Sequence, residues 1–310
     1  MPIYHKSKQL WALMRQVETT ALRNQKQKLR RELLFLLEPE QCHFASFAQF
    51  SQAIIPHGRF SVAMDGLRFD CMFAPQKGEH LFVVLSGLRT PNRHPIPKFD
   101  RLTFTHLFPG SVLYISDPCH YLPAGPQTAW YLGTESIDGL NGLTQITQHV
   151  AQSLGLSSKQ VISYGSSAGG FAAMQLAARL KNATAVAINT QTHLWQIQPA
   201  RLFTNFVEKC FPNKNNPSVL AQGDPQFNAI VAIESSPDMR CLYVQNTQDV
   251  FHFKQYFVPL CAHFKLDASL ARDRAGPIES LVYEHESGHG GEPREIAPDI
   301  IRRAMALADE

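Results

Sequence analysis

No stretch of this chain approaches the roughly 20 consecutive apolar residues that a membrane-spanning helix requires. The first residues, MPIYHKSKQLWALMRQ, contain no uninterrupted apolar run of signal-peptide length, which predicts a soluble, cytoplasmic protein with no membrane span. Charge of one sign is scarce as well. Lys and Arg number 29 against 26 Asp and Glu, a formal net charge of +3, too mild for a dedicated nucleic-acid binder. The six cysteines (Cys42, Cys71, Cys119, Cys210, Cys241 and Cys261) form no CxxC pair. Three of them sit inside strongly apolar stretches, where reduced cysteine behaves as a small hydrophobe, and this predicts a reducing compartment. The chain also has no internal repeat, no low-complexity tract and no flexible linker between domains.

What is present is an ordinary globular composition: 310 residues, 44% hydrophobic and 18% charged, enough for a large α/β domain. Over residues 7 to 37, Leu10, Leu13, Met14, Val17, Leu29, Leu33 and Leu36 recur at spacings of three and four with no Gly or Pro between them, which predicts helix. Its polar side is basic: Lys6, Lys8, Arg15, Arg23, Lys26, Lys28, Arg30 and Arg31 face only Glu18 and Glu32. A solvated helix face is the leading reading of this arm, ahead of an oligomer contact or docking to an acidic surface.

Beyond it, RFSVAMDGLRFDCMFAP reads as two strands around Asp65-Gly66, a pair that tolerates the positive φ of a tight hairpin turn. The pattern then changes to short, wholly apolar strands alternating with helices, as in a parallel sheet buried on both faces. Strands are predicted at 80–87, 111–117, 160–165, 183–189, 240–246 and 280–285, and helices at 141–154, 168–180, 249–265 and 296–308. The stretch 190–238, with FPNKNNPSV, shows no clear strand and reads as an irregular or helical excursion that could act as a lid or cap. The predicted organisation is a helical extension over 1–57 followed by one α/β domain over 58–310.

The stretch VISYGSSAGGFAAMQLA contains Gly165-Ser166-Ser167-Ala168-Gly169, a G-x-S-x-G motif between a predicted strand and a predicted helix. A serine at such a sharp turn is strained, and glycine two positions to either side lets strand and helix approach each other. The middle serine, Ser167, then projects above the sheet, and the Ala168 N–H at the helix head points at a developing oxyanion. Ser166 becomes a neighbour.

In this setting the chain resembles the α/β-hydrolase superfamily. The resemblance implies a mostly parallel sheet flanked by helices, an acid in the loop after the next-to-last strand and a histidine after the last one. Those places are held by Asp249, in TQDVFH, and by His289, in ESGHGGEP. His285 competes with His289 and is less favoured, since only His289 has glycine neighbours that let it reach across. Glu286 and Asp117 are further acids, off the family's position, and for Asp249 helix N-capping is the plainer reading. The resemblance assigns the second oxyanion donor to the backbone N–H of Gly87 or Leu88, although Ser86-Gly87 stands here where the family commonly has His-Gly.

Trp130 and Tyr131, in the aromatic loop 117–133, read equally as a surface that stacks on a sugar ring or an apolar acyl group and as buried packing against the cap. Arg89, Arg93 and His94 beside the oxyanion loop are read as solvated, or as contacts for an anionic substrate. Asp117, Cys119 and His120 have no further metal ligands at useful spacing. The expectation is therefore a serine hydrolase that requires no cofactor or metal and cleaves an ester or related acyl group. Fainter similarity, in YGSSAGG and the short oxyanion loop, is to hydrolase-like proteins of bacterial surface-polysaccharide and glycan modification, which implies a carbohydrate ester as substrate. An acyltransferase on the same triad, or a non-catalytic glycan-binding or assembly protein that keeps the fold, are the alternatives.

Overall fold

The computed structural model describes residues 40–90, 94, 96–122, 125–213 and 224–310. The helix expected over 7–37 and its basic arm lie outside the described residues.

Ten strands form one sheet in the order β1-β2-β3-β5-β4-β8-β9-β10-β12-β11. They are β1 (Glu40–Phe44), β2 (Gly58–Met64), β3 (Leu67–Ala74), β4 (Leu81–Leu85), β5 (Ser111–Ile115), β8 (Val161–Ser166), β9 (Thr184–Ile188), β10 (Arg240–Asn246), β11 (Arg272–Ala275) and β12 (Ile278–Tyr283), while β6 (Gly133–Thr134) and β7 (Ile137–Asp138) pair separately. From β5 to β12 the neighbours run parallel. The β2–β3 hairpin, turning at Asp65 and Gly66 with φ of 50° and 82°, joins that block antiparallel through β3 and β5. The helices are α1 (Phe47–Ser51), α2 (Gly139–Ser153), α3 (Ala168–Arg179), α4 (Arg201–Cys210), α5 (Ala229–Glu234) and α7 (Ala297–Asp309). Between α5 and α7, Val250–His252, a π-wound turn Phe253–Phe257 and Val258–Phe264 form one helical run, α6.

The uninterrupted apolar strands follow from burial on two faces. Every residue of β4, β5, β8 and β9 is buried, and successive side chains point to opposite sides. Leu81, Val83 and Leu85 join Leu113, Ile115, Ala185 and Tyr243 in a core capped by α2, α3 and α6. Phe82 and Val84 join Val112, Tyr114, Val186 and Leu242 in a second core under Ile300, Ile301, Ala304 and Leu307 of α7. Each such fully buried aliphatic or Phe side chain contributes about 1.5–3 kcal/mol.

One expectation is corrected. Residues 40–57 are not helical extension: β1 adds to the sheet parallel to β2, and Phe44 and Phe50 pack on Phe60 of β2. The described residues of the excursion 190–238 carry α4 and α5, in keeping with the irregular or helical reading, and Phe203, Phe206, Phe211 and Phe227 root them in the first core. Phe203 and Phe206 stack edge-on against Trp130, and Phe211 against Phe227.

Candidate active site

The strand order reverses direction at β4, with β5 on one side and β8 on the other, and the crevice beyond the carboxyl ends of parallel strands at such a switch point is where ligands bind. Ser167 stands there, directly after β8, with φ 53° and ψ −126°. For a residue other than glycine that backbone is strained, on the order of 1–3 kcal/mol, and the packing around it holds it in place. A Cβ at Gly165 would lie 2.2 Å from the Gly169 carbonyl oxygen, and one at Gly169 would lie 2.4 Å from the Leu85 carbonyl oxygen. Only glycine at both positions lets β8, α3 and β4 close around the serine.

Two loops complete the constellation. Asp249, at the head of α6, accepts from the backbone N–H of His252 at 3.4 Å, so the capping role expected of it is real. It also accepts from His289 Nδ1, 2.6 Å from its Oδ2, and His289 Nε2 lies 3.0 Å from Ser167 Oγ. His289 is the histidine that reaches the serine: the His285 ring bonds instead to Ser287 at 2.7 Å. Glu286 is exposed, and the Asp117 carboxylate is spent on the backbone N–H groups of Cys119 and Tyr131. Asp249 is buried while His289 is 41% exposed. Burial resists ionisation of Asp249, but hydrogen bonds from His252 and His289 outweigh it and hold the carboxyl well below its usual range.

The loop that carries His289 is pinned at three points. Asn246 Nδ2 donates to the carbonyls of His285 and Gly288 at 2.8 and 2.9 Å, and Asn189 Nδ2 donates to that of Gly290 at 2.9 Å. Glu292, with its side chain fully buried, accepts from Arg101 Nε at 2.9 Å and from the Tyr164 hydroxyl at 2.7 Å. The Arg101 guanidinium lies over the Tyr164 ring, 5.1 Å from its centroid.

Across from His289, at the sites expected to hold an oxyanion, the Ala168 N–H opens α3 and has no carbonyl within the helix to bond. Gly87 and Leu88 now separate. The Gly87 N–H is taken by the Asp100 carboxylate at 3.0 Å, whereas no hydrogen bond among the described residues uses that of Leu88. Burial pushes the Asp100 carboxyl up, but Lys98 at 2.5 Å, Arg101 and the Gly87 N–H together hold it low. Ser86 explains the arrangement: its hydroxyl donates to the Lys98 carbonyl at 2.7 Å and draws residues 98–101 against Gly87.

Trp130 and Tyr131 are not an open stacking surface; both are 0% exposed. Tyr131 accepts from the Ser86 N–H and donates to the Ile115 carbonyl, each at 2.7 Å, which fixes the start of the loop after β4 from behind. The Trp130 indole N–H reaches Gln191 Oε1 at 3.4 Å. Arg89 donates to the His94 carbonyl at 3.1 Å within its own loop, and Arg93 lies outside the described residues.

Two residues at the centre carry no motif. Gln191, just after β9, places Nε2 3.4 Å from Ser167 Oγ and 2.9 Å from His252 Nε2. His252 lies flat on His289, ring centroids 4.0 Å apart and planes 12° from parallel. A histidine in the first turn after the acid was the one available signal. Asp249, His252 and His289 offer ligand atoms within 4.8 Å of one another, as a metal site would. Their geometry does not suit an ion: both Nδ1 atoms face Asp249, and nearly parallel rings aim their lone pairs side by side instead of at one point.

Among the described residues no helix is long and apolar enough to cross a membrane. No protein-family model matches the chain, and no curated protein matches it in sequence. Solved structures do match. The capsule O-acetyltransferase of Neisseria meningitidis serogroup A superposes with TM-score 0.53 at 15% identity, over 83% of this chain and 96% of that one. An S-formylglutathione hydrolase from Agrobacterium tumefaciens superposes with TM-score 0.54 at 15% identity, over 81% and 94%. The Glycosylation Associate Protein (Gap123) complex from Streptococcus agalactiae matches with TM-score 0.54 at 17% identity, over 79% of this chain but only 45% of that one. This chain therefore spans less than half the length of the streptococcal protein. At such identities what is shared is architecture, and the mostly parallel ten-stranded sheet with its flanking helices is an α/β-hydrolase-like fold.

Proposed function

We propose that the protein is a serine acyl hydrolase that works through a covalent acyl-enzyme, with an O-acyl group on a carbohydrate as substrate. The observation that carries the reading is the chain Ser167 Oγ, His289 Nε2 at 3.0 Å, His289 Nδ1, Asp249 Oδ2 at 2.6 Å, raised on a strained turn at the head of a helix. A hydroxyl is a weak nucleophile unless a base takes its proton as it attacks. His289 Nε2 receives that proton while Ser167 Oγ bonds to the ester carbon, and Asp249 stabilises the imidazolium. The N–H groups of Ala168 and Leu88 receive the carbonyl oxygen as it becomes negative. His289 then returns the proton to the departing alkoxide, and water, deprotonated by His289, releases the acid and frees Ser167. A non-catalytic role is disfavoured, because Ser167 Oγ and His289 Nε2 stand within hydrogen-bond distance.

The carbohydrate assignment is supported by the company of the fold, a capsule O-acetyltransferase and a glycosylation-associated complex. The first also supports a second reading, transfer of the acyl group to a sugar hydroxyl in place of water.

The test is a rapid-quench reaction with p-nitrophenyl acetate. An acetyl group should appear on the Ser167 peptide before acetate is released, and added alcohol acceptor should divide the product between acetate and a new ester if transfer operates. Turnover without an acetyl ester at Ser167, or no reaction with any acyl ester, would overturn the reading.

A further inference from the structure

His252 has no part in the acyl-transfer steps, yet it touches Asp249 and His289 directly and Ser167 through Gln191. Its Nδ1 lies 3.0 Å from Asp249 Oδ1, the carboxylate oxygen that His289 leaves free, and its Nε2 lies 2.9 Å from Gln191 Nε2. An ionised carboxylate only accepts and an amide NH₂ only donates. The proton of His252 is therefore on Nδ1, and Nε2 is a bare acceptor. Gln191 so turned offers its oxygen to the Trp130 indole N–H and its second N–H to Ser167 Oγ, each at 3.4 Å. One tautomer of His252, one orientation of Gln191 and one proton position on Ser167 satisfy every donor and acceptor together.

We propose that His252, held neutral with its proton on Nδ1, is the positioning residue of this site, its two nitrogens fixing Asp249 toward His289 and the Gln191 amide toward Ser167. The inference rests on the acyl-enzyme reading. Neutrality is required because a proton on Nε2 would confront the Gln191 NH₂ and would set a positive charge against the imidazolium forming on His289, 4.0 Å away. The groups that face His252 are Asp249 from the head of its own helix, His289 from the loop before α7, Gln191 from the loop after β9, and the Tyr256 ring at 5.1 Å. Burial, the largest influence, pushes the imidazole down against the Asp249 hydrogen bond, and His289 lowers it further. Burial, His289 and the Gln191 amide keep it uncharged against the Asp249 carboxylate, which is shared with His289.

The experiment compares wild type, His252→Phe and His252→Asn on p-nitrophenyl acetate across pH, with active sites counted by a fluorophosphonate. Phe keeps a ring against His289 but has no nitrogen, so kcat per counted site should fall roughly 10²-fold with KM little changed. The acid limb of wild type should include a contribution from protonation of His252 that the Phe variant lacks. Asn, whose amide N–H can stand where Nδ1–H stood, should restore part of kcat. A Phe variant with wild-type kcat per site and an unchanged acid limb overturns the inference while the acyl-enzyme reading stands. So does one in which only melting temperature and the count of active sites fall. Wild type that fails to react with the fluorophosphonate at Ser167 instead overturns the reading, and the inference with it.

Discussion

Replacing Asp249 with asparagine should lower kcat on the order of 10⁴-fold while the protein stays folded. The carboxylate accepts from three N–H groups: His289 Nδ1 at 2.6 Å, His252 Nδ1 at 3.0 Å and the His252 backbone at 3.4 Å. An amide has one accepting oxygen and one NH₂, so one of the two imidazoles must move its proton to Nε2. If His289 does so, the base that faces Ser167 disappears. If His252 does so, its Nε2–H opposes the Gln191 amide and the network behind Ser167 opens. Either outcome disables the site with little change in volume. Steady-state kinetics on an activated ester, alongside a thermal melt, measures this, and an Asn variant within tenfold of wild type would contradict it.

Glu292→Ala should destabilise the protein by about 3–5 kcal/mol, because it leaves the Arg101 guanidinium buried without its counter-ion. It also strips the Tyr164 hydroxyl of its acceptor. The Arg101–Glu292 pair joins segments 191 positions apart in sequence, so the loss falls on the link between the His289 loop and the segment that follows the loop after β4. Replacing both partners with apolar residues of similar size, Arg101→Met with Glu292→Leu, should recover most of the stability. Urea unfolding of the single and double variants reads both effects. A loss below about 1 kcal/mol in the single variant would show that the pair is not the anchor its burial implies.

The legible parts of this molecule are those in which one physical cause writes directly into local sequence. Strands buried on both faces must be apolar throughout, so VVL, VLYI and AVAI mark β4, β5 and β9. Gly165 and Gly169 are legible because backbone atoms lie where their side chains would be. Asp249 and His289 were placed by the loop order of a resembling family, and the geometry now brings both to Ser167. What stayed hidden depends on distant partners. β1 is a strand because β2 offers it an edge, a fact that EQCHF does not carry alone. Trp130 and Tyr131 read equally as substrate platforms and as buried packing because exposed and buried aromatics share one spelling, and only Phe203, Phe206 and Ser86 decide between them. Gln191, His252 and Arg101 belong to no motif, since each acts through a residue far off in the chain or through a ring stack that spacing does not reveal.

The central claim is that Ser167, and not Ser166 beside it, is the nucleophile. Labelling with a fluorophosphonate, followed by peptide mass mapping of wild type, Ser167→Ala and Ser166→Ala, tests it directly. The account predicts a single adduct on Ser167 in wild type and in Ser166→Ala, and none in Ser167→Ala. Undiminished labelling of Ser167→Ala, or an adduct that maps to Ser166, would contradict it.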